Sequence, residues 1–192
     1  MKKPVVAVIM GSDSDLSVVK NAISVLNEFN VPHEVLIISA HRSPDVTTKY
    51  AKTAKKAGIK VIIAAAGGAA HLAGVIASHF PLPVIGIPIK TSTLNGVDSL
   101  YSIVQMPPGI PVATVGINAA KNAGLLAVQI LSIEDKKLAK AMMEYKKKLA
   151  GKVINKSKKL QEIGIDRYLE TMKKTHCNCD EPRVLGATKQ SC

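Results

Sequence analysis

Hydrophobic residues along the chain fall into short runs separated by longer amphipathic segments. Five runs rich in Val, Ile and Ala predict strands at residues 5–10, 34–38, 61–65, 84–87 and 112–115. Within each run the apolar residues are mostly continuous rather than alternating, which is typical of strands covered on both faces, as in parallel sheets. The pattern therefore predicts an α/β fold with a parallel sheet.

Helices are predicted between these strands. Apolar residues recur at helical spacing over residues 14–30, and the segment 44–58 begins with Ser43 as N-cap and Pro44 in its first turn. Three more helices are predicted at residues 72–80, 98–105 and 118–133. Since right-handed crossovers place such helices on both sheet faces, we predict a three-layer αβα sandwich with a flavodoxin-like or Rossmann-like sheet over residues 1–133.

The pattern changes after residue 133. A polar helix is predicted over 134–149, with an apolar stripe formed by Leu138, Met142, Tyr145 and Leu149. After Gly151 a second lysine-rich helix is predicted to extend to about residue 174. No strand follows these helices, so we expect a neighbouring subunit to cover the stripe, and residues 134–174 to form oligomer contacts. The polar, aperiodic residues 175–192 predict a loose tail.

The charge of the chain raises the question of a nucleic-acid partner. The 192 residues contain 26 Lys and Arg against 14 Asp and Glu, a net charge of +12. Residues 134–192 alone account for +7 of this, with 15 basic and 8 acidic side chains. Because the chain has no Trp, two Phe and four Tyr, it offers few rings on which bases could stack. We therefore predict no nucleic-acid partner.

The cysteines bear on metal binding and on the compartment. Cys177, Cys179 and Cys192 cluster near the end of the chain, beside His176. This grouping resembles neither a secreted disulfide framework nor a four-ligand zinc site, so we expect no metal and a reducing, cytoplasmic setting. No stretch approaches the ~20 apolar residues of a membrane span, and we expect no membrane partner.

Ligands of open parallel sheets bind beyond the carboxyl ends of the strands, so the loops there are the candidate site. The first strand is followed by Gly11 to Asp15, where the hydroxyls of Ser12 and Ser14 and a helix N-terminus suit an anion, and Asp15 suits sugar hydroxyls. A simple helix N-cap by Ser12 or Asp13 explains this segment about equally well.

The second and third predicted strands each end near a histidine. Ser39, His41 and Arg42 follow the second strand, where Arg suits phosphate and His can carry protons near neutral pH. A surface charge and a polar residue near a helix cap are the alternative interpretations. Tiny residues from Ala66 to Ala70 precede His71 after the third strand and would let a ligand lie against bare backbone. The Gly-Gly pair alone is a weak signal.

Two further groups of residues complete the candidate chemistry. The loop at residues 95–109, with polar groups, Met106 and two prolines, predicts a rigid and partly apolar wall, or simply a capped helix. His33 and His79 have no group of candidate site residues beside them in the sequence, and we predict structural rather than catalytic roles for both.

Five segments together resemble one known family. They are Gly-Ser-Asp-Ser-Asp, Ser-Ala-His-Arg-Ser-Pro-Asp, Ala-Gly-Gly-Ala-Ala-His-Leu, Pro-Leu-Pro-Val-Ile-Gly-Ile-Pro and Gly-Val-Asp-Ser-Leu-Tyr-Ser-Ile-Val-Gln-Met-Pro. Over residues 4–133 they resemble the PurE family of N5-carboxyaminoimidazole ribonucleotide mutases in purine biosynthesis. The resemblance implies a homo-octamer of α/β sandwiches and a carboxylate shift from the exocyclic nitrogen to ring carbon C4, without ATP or another cofactor.

The resemblance also implies roles for named residues. Ser12, Asp15 and Arg42, with Ser14 beside them, would hold the ribose and phosphate of this small-molecule substrate. His41 and His71 would flank the imidazole, with His41 as acid and base. The residues implied to line the pocket are Ser39, Gly67, Ala70 and Leu72.

Alternatives remain for the activity. A sister branch of the family carboxylates aminoimidazole ribonucleotide directly with CO2, but the loops after the third and fourth strands have the mutase form. A nucleotide or flavin binder without catalysis is the alternative from another class. Two features depart from the family pattern: Pro108 replaces a frequent basic residue, and the tail extends beyond the usual end.

Overall fold

A computed structural model describes residues 3–177 of the chain and the side chains of residues 3–172. Its strands are β1 (Val6–Met10), β2 (His33–Ile37), β3 (Val61–Gly67), β4 (Val84–Ile89) and β5 (Ala113–Thr114). All pair in parallel, in the order β2-β1-β3-β4-β5. This is the flavodoxin-like order, so the predicted α/β fold with a parallel, doubly wound sheet is confirmed.

Helices connect the strands as predicted. They are α1 (Leu16–Glu28), α2 (Pro44–Ala57), α3 (Leu72–Ala77), α4 (Val97–Val104) and α5 (Ala120–Leu131). A 3-10 turn, Asp13–Asp15, precedes α1. Helices α1 and α5 pack against each other, whereas α2, α3 and α4 contribute to a separate core cluster with sheet residues such as Ala7, Ile9 and Ile62. The helices therefore cover both faces of the sheet.

The central strands supply a rigid edge for a site. Every residue of β1 and β4 is buried, because each of these strands has a strand on both sides and helices above and below. The register pairs Met10 with both Ile37 and Ala65, and Gly67 with Ile89. The first four strands therefore deliver their following loops to one edge.

Strand β2 differs from the expectation that every strand is covered on both faces. It lies at the edge of the sheet, and Val35 and Ile37 are 40% and 60% exposed while Leu36 between them is partly buried. One face of β2 packs on the core, and residues 3–177 leave the other face largely exposed. Its apolar run resembles that of a central strand, so sequence alone did not distinguish the two positions.

The C-terminal helices break at a different glycine from the one predicted. Helix α6 (Lys136–Ile163) continues through Gly151, and α7 (Ile165–Cys177) begins only after Gly164. A glycine within a helix costs only about 1 kcal/mol relative to Ala, which a long helix tolerates. Gly164 ends α6 because it adopts the left-handed backbone conformation, at φ 77°.

The chain divides into two compact units, with the boundary between Met142 and Met143. The division into domains predicted after residue 133 stays a prediction. The predicted loose tail, residues 175–192, lies almost wholly outside the described residues, and so do Cys179 and Cys192. Within the described part of the chain, no helix is both long enough and apolar enough to cross a membrane.

Candidate active site

A pocket of about 420 Å³ lies where β1, β2, β3 and β4 end. The strand order reverses between β1 and β3, the position at which ligands bind to open sheets. Of the ten predicted site residues, nine line this pocket: Ser12, Ser14, Asp15, Ser39, His41, Arg42, Gly67, His71 and Leu72. The tenth, Ala70, is only 1% exposed and belongs to the core cluster, while its neighbour Ala69 lines the pocket.

Two imidazoles meet in this pocket. His41 Nε2 lies 2.8 Å from His71 Nδ1, and the rings are nearly perpendicular, at 88°, with centroids 4.9 Å apart. A hydrogen bond between two ring nitrogens requires one donor and one acceptor, so a single proton lies between the rings. Both side chains are exposed to the solvent of the pocket. Their positions follow from topology, because His41 follows β2 and His71 immediately precedes α3.

The loop after β1 caps the following turn and also lines the pocket. The Ser14 N–H donates to Ser12 Oγ at 3.3 Å, so Ser12 caps the 3-10 turn. The Ser14 hydroxyl lies 2.9 Å from Ser12 Oγ and 3.2 Å from Asp15 Oδ1. Ser12 therefore acts as an N-cap and still lines the pocket.

Asp15 is a buried carboxyl group at the pocket wall. Asp15 is only 8% exposed to solvent. Burial raises the pKa of Asp15 above its usual value, because desolvation disfavours the charged form, while hydrogen bonds from Ser14 and the Ser12 backbone and the charge of Arg42 oppose the rise. The cost of burying this carboxylate is unnecessary for a simple cap, and the predicted contact with sugar hydroxyls stays a prediction.

Replacing Asp15 with Asn is expected to raise stability at pH 7. With a raised folded-state pKa, ionised Asp15 lowers the free energy of unfolding at neutral pH, and this cost disappears as pH falls through the raised pKa. The melting temperature of the variant should therefore exceed that of the wild type at pH 7, with the difference shrinking towards pH 4. The exposed Asp13→Asn variant is the control. A variant less stable than wild type at pH 7 would contradict this interpretation of the burial.

Arg42 lines the pocket and is held by hydrogen bonds to its own loop and to the loop after β1. Its Nη2 donates to the carbonyl oxygen of Gly11, and its backbone N–H and Nε lie 3.2 and 3.4 Å from Ser39 Oγ. Ser43, the predicted N-cap of α2, does not cap the helix with its side chain. Its hydroxyl instead accepts a hydrogen bond from the Ser39 N–H and donates one to the Ser39 carbonyl oxygen. These two hydrogen bonds close the loop after β2. They also position Ser39, whose hydroxyl contacts the Arg42 side chain.

The glycine loop after β3 is fixed by α4. Gly68 has a left-handed backbone, at φ 67°, and its N–H donates to Ser99 Oγ at 2.9 Å. The buried Ser99 hydroxyl in turn donates to the carbonyl of Ile89 at 2.7 Å, and Ser102 Oγ lies 3.3 Å from the Gly68 carbonyl. Side chains of the predicted wall therefore hold the small-residue loop from behind.

Sequence reasoning missed one part of the pocket. Ile89, Lys90 and Thr91, at the end of β4, also line it. Thr91 Oγ1 donates to the carboxylate of Asp98, at 2.9 and 3.1 Å from its two oxygens. These residues directly follow a parallel strand, so their position at the carboxyl end of β4 is the signal that could have identified them.

His33, His79, Met106 and Pro108 do not line the pocket. Nδ1 of the partly buried His33 is 2.9 Å from the Val31 carbonyl, and His79 is exposed and absent from the pocket lining. Met106 packs against Gly74, and Pro108 is exposed. Within residues 3–172, no three His, Cys, Asp or Glu side chains converge as metal ligands would.

Comparisons with known proteins identify the family of the chain. Residues 5–152 match the family model of AIR carboxylase. The chain is 57% identical over 166 residues to the N5-carboxyaminoimidazole ribonucleotide mutase of Thermotoga maritima, covering 86% of this chain and 97% of that protein. It is 56% identical to a phosphoribosylaminoimidazole carboxylase of Candida glabrata, covering 89% of this chain but 30% of that protein.

A solved structure shares the fold. The crystal structure of Treponema denticola PurE superposes with a TM-score of 0.76 at 32% identity, covering 82% of this chain and 98% of that one. Because the family model spans most of the chain and the mutase relative is matched over nearly its full length, the chain belongs to the AIR carboxylase family.

Proposed function

We propose that the protein is an N5-carboxyaminoimidazole ribonucleotide mutase of purine biosynthesis, which forms 4-carboxy-5-aminoimidazole ribonucleotide. The observation that carries the proposal is the pair of contacting histidines in the strand-end pocket. The family membership and the 57% identity to a mutase over 97% of its length support it. The pocket combines a proton-carrying pair, a cation and small residues, which this reaction uses.

The reaction needs one proton donor and one proton acceptor. When the carbamate of the substrate loses CO2, its exocyclic nitrogen takes up a proton. Carbon C4 of the resulting ring then attacks CO2, and the proton on C4 must leave to restore the aromatic ring. The protons balance, so one group can give the first and take the second. We assign this acid and base role to His41.

The contact between the histidines suits such an exchange. If the shared proton belongs to His41, the neutral ring has a bare Nδ1 and can act as a base. If it belongs to His71, His41 Nδ1 carries a proton and can act as an acid. The first form becomes the second when His41 Nδ1 takes the proton from C4 and the shared proton passes to His71 over the 2.8 Å contact, which leaves the positive charge on His71. The reverse transfers return a proton from His41 Nδ1 to the exocyclic nitrogen. His71 is assigned the positioning of His41 and of the carboxylate.

The rest of the pocket divides into two parts in this proposal. Arg42, Ser12, Ser14 and Asp15 hold the phosphate and ribose, since a guanidinium and hydroxyls favour phosphate and a carboxylate favours sugar hydroxyls. The small residues after β3 give CO2 a confined position close to C4, so that recombination is faster than escape. Ser39, Gly67 and Leu72 complete the lining, and a binding role for Ala70 stays a prediction.

Location and assembly are part of the same proposal. The grouping of the cysteines at the end of the chain is unlike a secreted disulfide framework and favours a cytoplasmic enzyme. A homo-octamer is supported by the apolar residues that remain exposed on α6 and α7, among them Leu149, Val153 and Leu169.

A direct carboxylase is the second candidate, because relatives such as the Candida glabrata protein are named carboxylases. The two activities differ in the origin of the carboxyl group. Purified protein should interconvert the two carboxylated nucleotides in the presence of a chelator and without ATP. Labelled carboxylate should be retained, with little exchange into added bicarbonate. Efficient turnover of the decarboxylated nucleotide at low bicarbonate, with full exchange of label, would favour the carboxylase.

A further inference from the structure

Lys90 occupies a defined position in the pocket and has no role in the proposal above. It follows β4 directly, is exposed, and lines the pocket with Ile89 and Thr91. No ion pair within residues 3–172 involves Lys90. The acid of the same loop, Asp98, accepts a hydrogen bond from Thr91. The ammonium group therefore remains available to a ligand.

The backbone of Lys90 is held firmly. Its N–H donates to Asn118 Oδ1 at 2.9 Å, and the N–H of Asn118 donates to the carbonyl of Pro88 at 2.9 Å. Gly96 packs closely on it, because a Cβ at Gly96 would lie 3.0 Å from Lys90 Cα. These contacts tie the loops before α4 and α5 to the end of β4, so the base of the Lys90 side chain is fixed at the pocket.

The two cations of the pocket lie at different strands. Arg42 bonds the carbonyl of Gly11 at the end of β1, whereas Lys90 follows β4, two strands away in the order β1-β3-β4. At about 4.8 Å per strand, the Gly11 carbonyl that Arg42 contacts and the backbone of Lys90 are about 10 Å apart. The glycine loop and His71 lie after β3, between them. A ligand with two anionic ends would therefore contact one cation with each end.

We infer that Lys90 binds the carboxylate of the substrate and product, and so sets the preference for carboxylated over decarboxylated nucleotides. This inference rests on the proposed function, in which Arg42 holds the phosphate. The carboxylate moves only between neighbouring positions of the nucleotide, from the exocyclic nitrogen to C4, so a flexible lysine can reach both. The CO2 formed between them is uncharged. Lys90 therefore stabilises both bound carboxylated nucleotides more than the CO2 state between them, so its loss should raise KM without lowering kcat.

Isothermal titration of Lys90→Met with two nucleotides tests the inference. The variant should bind 4-carboxy-5-aminoimidazole ribonucleotide about tenfold more weakly, as loss of a charged hydrogen bond predicts, and bind aminoimidazole ribonucleotide as wild type does. Unchanged binding of the second nucleotide also shows that the variant is folded. Lys90→Arg should keep the preference, and the exposed Lys52→Met, outside the pocket, is the control for net charge. Arg42→Ala should weaken both nucleotides alike.

The outcomes separate this inference from the function on which it rests. If wild-type protein binds neither nucleotide and does not interconvert the carboxylated pair, the proposed function is wrong. Suppose that the wild type binds and interconverts the nucleotides, but Lys90→Met weakens binding of the carboxylated and decarboxylated nucleotides equally. Lys90 then interacts with the phosphate or only adds positive charge to the pocket, and the inference is wrong. Unchanged binding of both nucleotides to Lys90→Met would also overturn it.

Discussion

Replacing His41 with Asn is expected to reduce kcat at least about a hundredfold while leaving the fold and nucleotide binding intact. General acid and base groups typically contribute a factor of 10² to 10⁴. Asn fits the space of the imidazole and remains polar, but its amide extends only as far as Nδ1, so the 2.8 Å contact that His41 Nε2 makes with His71 Nδ1 is lost. The Asn amide cannot exchange protons near neutral pH. Protonation of the carbamate nitrogen and loss of the C4 proton would therefore depend on water alone.

Steady-state kinetics and titration with the product nucleotide measure the two effects separately. His79→Asn is the matched control, since His79 is exposed and lies outside the pocket lining. It should keep wild-type kcat and KM. An unchanged kcat in His41→Asn would remove His41 from the mechanism, and a large loss of nucleotide affinity would assign it to binding instead.

The location of the site could be predicted from sequence because it depends on topology. Apolar runs and helix spacing predicted a parallel sheet, and the carboxyl ends of parallel strands share one edge. Ser12, Arg42 and His71 therefore fall in one pocket although they follow three different strands. Their meeting depends on strand order, which periodicity alone did not predict.

Details that depend on side-chain direction could not be predicted. Ala69 and Ala70 are adjacent and chemically identical, yet the first lines the pocket and the second packs in the core. The 2.8 Å contact of His41 with His71 likewise depends on rotamers, which sequence does not specify. Val35 and Ile37 read as residues of a covered strand because edge and central strands can share an apolar composition.

Introducing carboxylates on one face of α6 is expected to dissociate the proposed assembly. Met142 is buried, and Leu149, Val153 and Leu160 follow it on the same face, since spacings of 7, 11 and 18 residues return to one side of a helix. These three residues are 43%, 67% and 38% exposed. In a lysine-rich helix, an apolar stripe that continues beyond its buried residue indicates that another surface covers it.

The double variant Leu149→Glu with Val153→Glu would place two charges in that contact. The free energy lost on burying an unpaired carboxylate is far larger than the free energy gained by burying a partly exposed apolar side chain, so the contact should be lost. Light scattering coupled to size-exclusion chromatography should show a smaller species than the wild-type assembly. Lys147→Gln with Lys158→Gln changes the net charge by the same amount on the opposite face and should leave the assembly unchanged. A double glutamate variant with an unchanged subunit number would show that this face of α6 is not a subunit contact, because two buried carboxylates could not leave such a contact intact.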